Sequence, residues 1–76
     1  MTVLHSIAVS TSIKLNQFLK LSNAVGSGGQ GKMLVQTGRV SVNGTVVYHR
    51  GKNILPGDIV SVEGIGAYKA VAPEEA

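Results

Sequence analysis

The sequence predicts a small α+β domain in which a strand and two short helices precede a run of short strands. Three observations predict it. Apolar residues alternate near the start, take helical spacing between Ile13 and Thr37, and alternate again afterwards. Asn43-Gly44 is the signature of a two-residue hairpin turn. Two further turn signals, Pro56-Gly57-Asp58 and Gly64 to Gly66, divide the remainder into short segments. The 76 residues make one compact domain, read as 1–72, with a frayed tail at 73–76. A domain of this size buries about 60% of the surface its unfolded chain exposes. A modest core and little room for a deep pocket follow.

Val3 to Val9 reads as the first strand, with Val3, His5, Ile7 and Val9 on one face. Thr11 and Ser12 offer capping hydroxyls for a helix from about Ile13 to Leu21. Leu15, Phe18 and Leu19 share one side of it, while Lys14 and Gln17 point away. Ser22 to Gly26 forms a turn. Ser27-Gly28-Gly29-Gln30 matches a capping box and starts a second helix that runs to about Thr37. Met33 and Leu34 are expected to supply its buried side, and Gly38 to end it. Gly31 inside this helix costs roughly 1 kcal/mol relative to Ala, so the helix must lean on tertiary packing. Arg39 to Val42 and Thr45 to Tyr48 pair across Asn43-Gly44. That register puts Val40, Val42, Thr45 and Val47 on one face and Arg39 and Tyr48 on the other. Asp58 to Glu63 and Tyr68 to Val71 complete the strands.

Charge is distributed unevenly. The net charge is +3, yet no Asp or Glu occurs before Asp58. Lys14, Lys20, Lys32, Arg39, Arg50 and Lys52 all precede it. Ordinary surfaces mix both signs, so a long purely cationic stretch favours a polyanionic partner over a merely soluble surface. The chain has no cysteine, which excludes disulfides and thiolate metal sites. No apolar run approaches the roughly 18 residues of a membrane span, and no signal-peptide pattern opens the chain. A cytoplasmic protein is the expectation.

Catalysis lacks a candidate. His5 and His49 are far apart and have no evident carboxylate partner. No nucleophile motif accompanies the serines. His5 reads as a packed or surface residue and Asp58 as a turn residue. Neither metal nor cofactor is expected, nor a small-molecule substrate. Ser27 to Lys32, SGGQGK, is more informative. Two glycines at a helix N-terminus expose N–H groups, the helix dipole adds partial positive charge, and Lys32 follows one turn on. The segment either cradles a phosphate or merely permits a tight turn, and it is not a nucleotide P-loop. Lys32 and Gln36 share a helix face, Arg39 follows the helix exit, and Lys14 and Gln17 form a ridge on the other helix. His49-Arg50-Gly51-Lys52 makes a basic loop after the hairpin. Such a surface suits phosphate, ribose and groove contacts more than stacking on aromatic platforms. It points to folded RNA.

In order along the chain, KLNQFLK, SGGQGK, GRVSVNGTVV and RGKNILPGDIV resemble the S4 RNA-binding domain. That domain occurs in a ribosomal small-subunit protein, pseudouridine synthases, tyrosyl-tRNA synthetases and a heat-shock RNA-binding protein. The nearest likeness is to short bacterial stand-alone S4 proteins. The match runs from about Ile13 to Val62, and the motifs are specific as a linked set. The resemblance implies two helices packed at an angle on a small twisted antiparallel sheet, the S4-like fold. It implies RNA binding through the helix pair and the start of the hairpin. Lys14 stands where the family often has Arg. Ser27, Gly28, Gly29 and Lys32 fall in the second helix's N-terminal motif, with Gln36 and Arg39 at its exit. Asn43 and Gly44 make the hairpin turn, Gly57 and Asp58 the later one, and His49, Arg50 and Lys52 the basic segment between. Asn16 replaces a usual Asp, Gln30-Gly31 a common Glu-Ala, and His49 a second Arg.

The sequence therefore predicts a non-catalytic, monomeric binder of structured RNA, ribosomal RNA foremost, with a place in ribosome assembly. Lys14, Gln17, Ser27, Gly28, Gly29, Lys32, Gln36, Arg39, Asn43, His49, Arg50 and Lys52 are the candidate contacts. A protein-interaction adaptor that offers the basic surface or a sheet face to an acidic partner is the alternative. An enzyme acting on a small anion at the Ser27 helix terminus is the weakest reading.

Overall fold

The computed structural model describes residues 4–75. Ten short elements follow in order: β1 (Leu4–Ala8), β2 (Ile13–Lys14), α1 (Leu15–Leu21), α2 (Gly28–Gln36), β3 (Val40–Val42), β4 (Thr45–Val46), β5 (Asn53–Ile54), β6 (Ile59–Val62), β7 (Gly66–Val71) and a 3-10 turn (Pro73–Glu75). Pro73–Glu75, read from sequence as tail, thus carries a turn of its own.

Five strands form one sheet in the order β1-β7-β6-β3-β4, and β2 and β5 form a separate two-stranded clip. The sheet is mixed, whereas the S4 resemblance implies a small twisted antiparallel one. β1 lies parallel to β7, Leu4 opposite Ala67 through Ala8 opposite Val71. A parallel neighbour needs a long crossover, and here almost the whole chain supplies it. Local hairpin rules cannot see such a pairing. The remaining contacts of the sheet, β3 with β4, β3 with β6 and β6 with β7, are antiparallel.

Register decides what is buried. Val40 faces Val62, Val42 faces Val60, and Val60 faces Tyr68, so all five side chains share one side of the sheet. All five are buried. Leu15, Phe18 and Leu19 of α1 are fully buried in the same core, joined by Val35 of α2 and by Ala24 and Val25 from the interhelical turn. Ile54 of the clip and Val9 beyond β1 close its ends. Of the first-strand residues expected on one face, Ile7 is half-buried and His5 is exposed, and Val3 lies outside the described residues. His5 stacks on Tyr68 with ring centroids 5.5 Å apart.

The inward side of α2 differs from expectation. Met33 is 66% exposed, whereas Gly31 and Val35 are buried and Leu34 is half-buried. Gly31 explains this. A Cβ there would lie 3.6 Å from Val25 Cγ2 and 3.8 Å from Leu19 Cδ1, so α2 meets α1 along its Gly31–Val35 line. Position 33 lies about 200° around the helix from both and points outward.

The hairpin turn has the expected left-handed pair, with φ of 53° at Asn43 and 84° at Gly44. Its side chain does more than permit that turn. Asn43 Nδ2 donates to Asp58 Oδ1 at 3.0 Å, and Asn43 Oδ1 accepts from the Ile59 N–H at 2.9 Å. Asp58 Oδ2 accepts from the Leu55 N–H at 2.9 Å. The hairpin is thereby tied to the turn that launches β6.

Candidate nucleic-acid interface

The interface begins with how α1 starts. Thr11 and Ser12 do not cap it. The N-cap is Lys14, whose side chain makes no capping bond. Ile13 and Lys14 instead pair with Ile54 and Asn53 as β2 and β5, which sequence reading did not anticipate. The segment leading into β5 supplies the missing acceptors. The Leu15 N–H donates to the Lys52 carbonyl at 2.8 Å, and the Asn16 N–H donates to the Arg50 carbonyl at 3.0 Å. Helix starts need such partners for their first N–H groups. Here the backbone of the basic loop provides them, which anchors the segment carrying Arg50 and Lys52 at the N-terminus of α1. The loop is closed further by the Lys52 N–H donating to the His49 carbonyl at 3.2 Å.

The start of α2 follows the predicted capping box with one shift. The Ser27 hydroxyl accepts from the Gln30 N–H at 3.3 Å. Gln30 Oε1 reaches one residue further back than usual and accepts from the Gly26 N–H at 2.9 Å. Gly28 and Gly29 then lead α2 with their N–H groups at its positive end. A Cβ on Gly29 would meet nothing within 4 Å, so the approach is open.

The helix ends in a Schellman motif, with the Gly38 N–H donating to the Val35 carbonyl at 3.2 Å and the Arg39 N–H to the Leu34 carbonyl at 3.0 Å. Gly38 takes φ of 76°, as predicted for the stop. Tyr48 packs on this glycine. A Cβ at Gly38 would lie 3.3 Å from both Cε1 and the hydroxyl of Tyr48.

These anchors bring α2 and the basic loop together. Lys32, Val35 and Gln36 from the helix and Tyr48, His49, Arg50 and Gly51 from the loop line one cleft of about 330 Å³. Lys32, Gln36, His49 and Arg50 are all exposed around it. Lys14 and Lys52 are exposed beside the helix terminus that the loop carbonyls cap, and Gln17 is exposed further along α1. Two predicted contacts fall elsewhere. Arg39 lines a separate groove of about 690 Å³ together with Ser41, Val46, Ser61 and Glu63. The exposed Asn43 is occupied in the Asp58 and Ile59 bonds described above. Sequence reading missed Tyr48 and the floor residue Val35. An aromatic directly before His49-Arg50-Gly51-Lys52 is the signal that could have found Tyr48.

The described residues contain no group of three or more His, Cys, Asp or Glu placed to hold a metal. No described helix is long and apolar enough to cross a membrane.

Comparison with known proteins gives the same architecture. A protein of Bacillus subtilis (strain 168) described as a probable ribosome maturation protein, RlbA, is 38% identical over 68 residues, covering 88% of this chain and 96% of the relative. The crystal structure of 30S ribosomal protein S4e from Thermoplasma acidophilum superposes with a TM-score of 0.59 at 20% identity. That match covers 80% of this chain but only 32% of the ribosomal protein, and it shows a shared fold. A family model described as an S4 domain matches residues 6–70, and with that span this chain belongs to the S4 domain family.

Proposed function

We propose that this chain is a non-catalytic module that binds structured RNA, ribosomal RNA foremost, and acts in ribosome maturation in the cytoplasm. The observation that carries the reading is the convergence of Lys32, Gln36, His49 and Arg50 on one cleft, next to an α1 terminus flanked by Lys14 and Lys52. The residues come from separate parts of the chain, and the fold gathers their positive charge where no acid precedes Asp58. Asp58 itself is engaged by Asn43 and the Leu55 backbone. The Bacillus relative, described as a probable ribosome maturation protein, supports the same role.

In this reading Lys14, Lys32, Arg50 and Lys52 neutralise phosphates, the leading N–H groups of α2 donate to the oxygens of one more, and Gln17, Gln36 and His49 bond to ribose or phosphate oxygens. Gly28 and Gly29 allow close backbone approach, and Ser27 holds their helix terminus in place. Arg39 is peripheral, and Asn43 acts by fixing the hairpin. The test is fluorescence anisotropy with a structured ribosomal RNA fragment, its unfolded strand and a matched DNA duplex across a salt series. With roughly four to six phosphates engaged, log affinity should fall against log salt with a slope of about −3 to −5. Equal weak binding to all three nucleic acids would overturn the reading. It would favour the adaptor alternative, for which the open groove lined by Ser41, Val46 and Ser61 is the available face.

A further inference from the structure

The chain has three aromatic residues, and the fold treats them differently. Phe18 is fully buried, Tyr68 is 7% exposed and stacked on His5, and Tyr48 is 62% exposed. An exposed aromatic alone carries no message, since single apolar side chains are common on surfaces. Its surroundings do. Tyr48 borders the cleft formed by Lys32, Gln36, His49 and Arg50. Its ring tip rests on the backbone of Gly38, where even a Cβ would approach to 3.3 Å. The ring is thus braced at a helix end while most of its surface remains open.

We propose that Tyr48 is a stacking platform for one unpaired base, so that the site selects folded RNA presenting an extruded nucleotide over uninterrupted duplex. The inference rests on the RNA-binding reading above and narrows its substrate class. The cleft, at about 330 Å³, has room for one small planar group. An A-form duplex keeps its base faces stacked inside, so only a splayed base can reach the ring. Lys32 and Arg50 on the same cleft would hold the phosphates of that nucleotide, and the Gln36 amide offers a donor and an acceptor to its edge. Stacking tolerates any base, since every base has a π face, so purine or pyrimidine identity would be read only through Gln36. The bland role of Tyr48, covering the Gly38 turn, predicts an effect on stability alone.

The test compares two RNA hairpins that differ only in a single-nucleotide bulge, with 2-aminopurine at the bulge. Wild type, Tyr48→Phe and Tyr48→Leu are titrated against both across a salt series, and each variant's melting temperature is recorded. Wild type and Tyr48→Phe should prefer the bulged hairpin by roughly tenfold, the scale of one base–aromatic stack. Tyr48→Leu should lose that preference while keeping its affinity for the uninterrupted hairpin and its salt slope. The 2-aminopurine emission should be lower in the wild-type complex than in the Tyr48→Leu complex. Equal binding of both hairpins by wild type, or an unchanged preference and emission in Tyr48→Leu, would overturn the stacking role while leaving RNA binding intact. Absence of salt-dependent binding to either hairpin by wild type would overturn the RNA reading itself, and the stacking role with it.

Discussion

Gly31→Ala should stabilise this domain, and the structure allows the effect to be sized. Gly31 sits inside α2, where glycine is less favourable than alanine by about 0.8–1.0 kcal/mol. Buried helical positions often exclude a larger residue, so the sign depends on space. The added methyl would lie 3.6 Å from Val25 Cγ2 and 3.8 Å from Leu19 Cδ1, which is ordinary van der Waals contact with two apolar groups. It therefore fills space without displacing the α1–α2 contact, and its burial adds a few tenths of a kcal/mol, below the roughly 0.8 kcal/mol of a fully buried methylene. The net gain is about 1 kcal/mol. In a domain of this size that raises the melting temperature by roughly 4–8 °C. Far-UV circular dichroism on heating and in urea measures it, and an unchanged m-value would show that only stability has moved. Gly38→Ala is the contrasting control. Its φ of 76° and the 3.3 Å approach to Tyr48 leave no relaxed place for a methyl. That variant should lose about 1–2 kcal/mol. A melting temperature for Gly31→Ala at or below wild type would refute the packing argument, because it would mean that the helices cannot accept the contact distances the structure gives.

Further outcomes separate contact from support. Asn43→Gly keeps the left-handed turn but removes the side-chain bonds to Asp58 and Ile59. It should cost about 1–3 kcal/mol in urea unfolding and leave RNA affinity unchanged under conditions where the protein is folded. A large affinity loss with intact stability would instead make Asn43 a direct contact. Lys32→Ala and Arg50→Ala should each flatten the salt slope of RNA binding by about one unit, and Arg39→Ala by less. Lys69→Ala, on β7 opposite Ser6 and Ile59 on the sheet side away from the core, should leave the slope unchanged. Phe18→Ala removes the largest fully buried side chain, at a cost of about 3–5 kcal/mol, and circular dichroism should show loss of the cooperative fold at room temperature.

The sequence carried the local features well because their causes are local. Alternation marked Val60 and Val62, i, i+3, i+4 spacing marked Leu15, Phe18 and Leu19, and Asn43-Gly44 marked the hairpin. Ser27 and Gly38 bounded the second helix within a residue at each end. What escaped was set by contacts between distant segments. The parallel β1–β7 pair has no periodic signature that distinguishes it from an antiparallel edge. Met33 looked like core because it is apolar and helical, yet the close approach at Gly31 fixes which line of α2 faces α1. Thr11 and Ser12 looked like caps because residue type favours them, but the clip of β2 with β5 places other acceptors there.

That last substitution explains how the candidate site is held. A side-chain cap from Ser12 would have fixed α1 alone and left the basic loop free. Capping by the carbonyls of Arg50 and Lys52 makes two backbone bonds, 3.0 and 2.8 Å, serve the helix and the loop together. The side chains of the same two residues remain exposed. The loop thus uses its main chain for structure and leaves its charged side chains exposed, with Arg50 on the same cleft as Lys32 and Gln36. Tyr48, just upstream, is braced on the Gly38 turn at the other end of the cleft. The loop is held by backbone bonds at one end and by the Tyr48 ring against Gly38 at the other, so its main chain would need little reordering on binding a polyanion. Preorganisation of this kind lowers the entropic cost of binding, and it accounts for how a 76-residue domain with a modest core can present a defined surface.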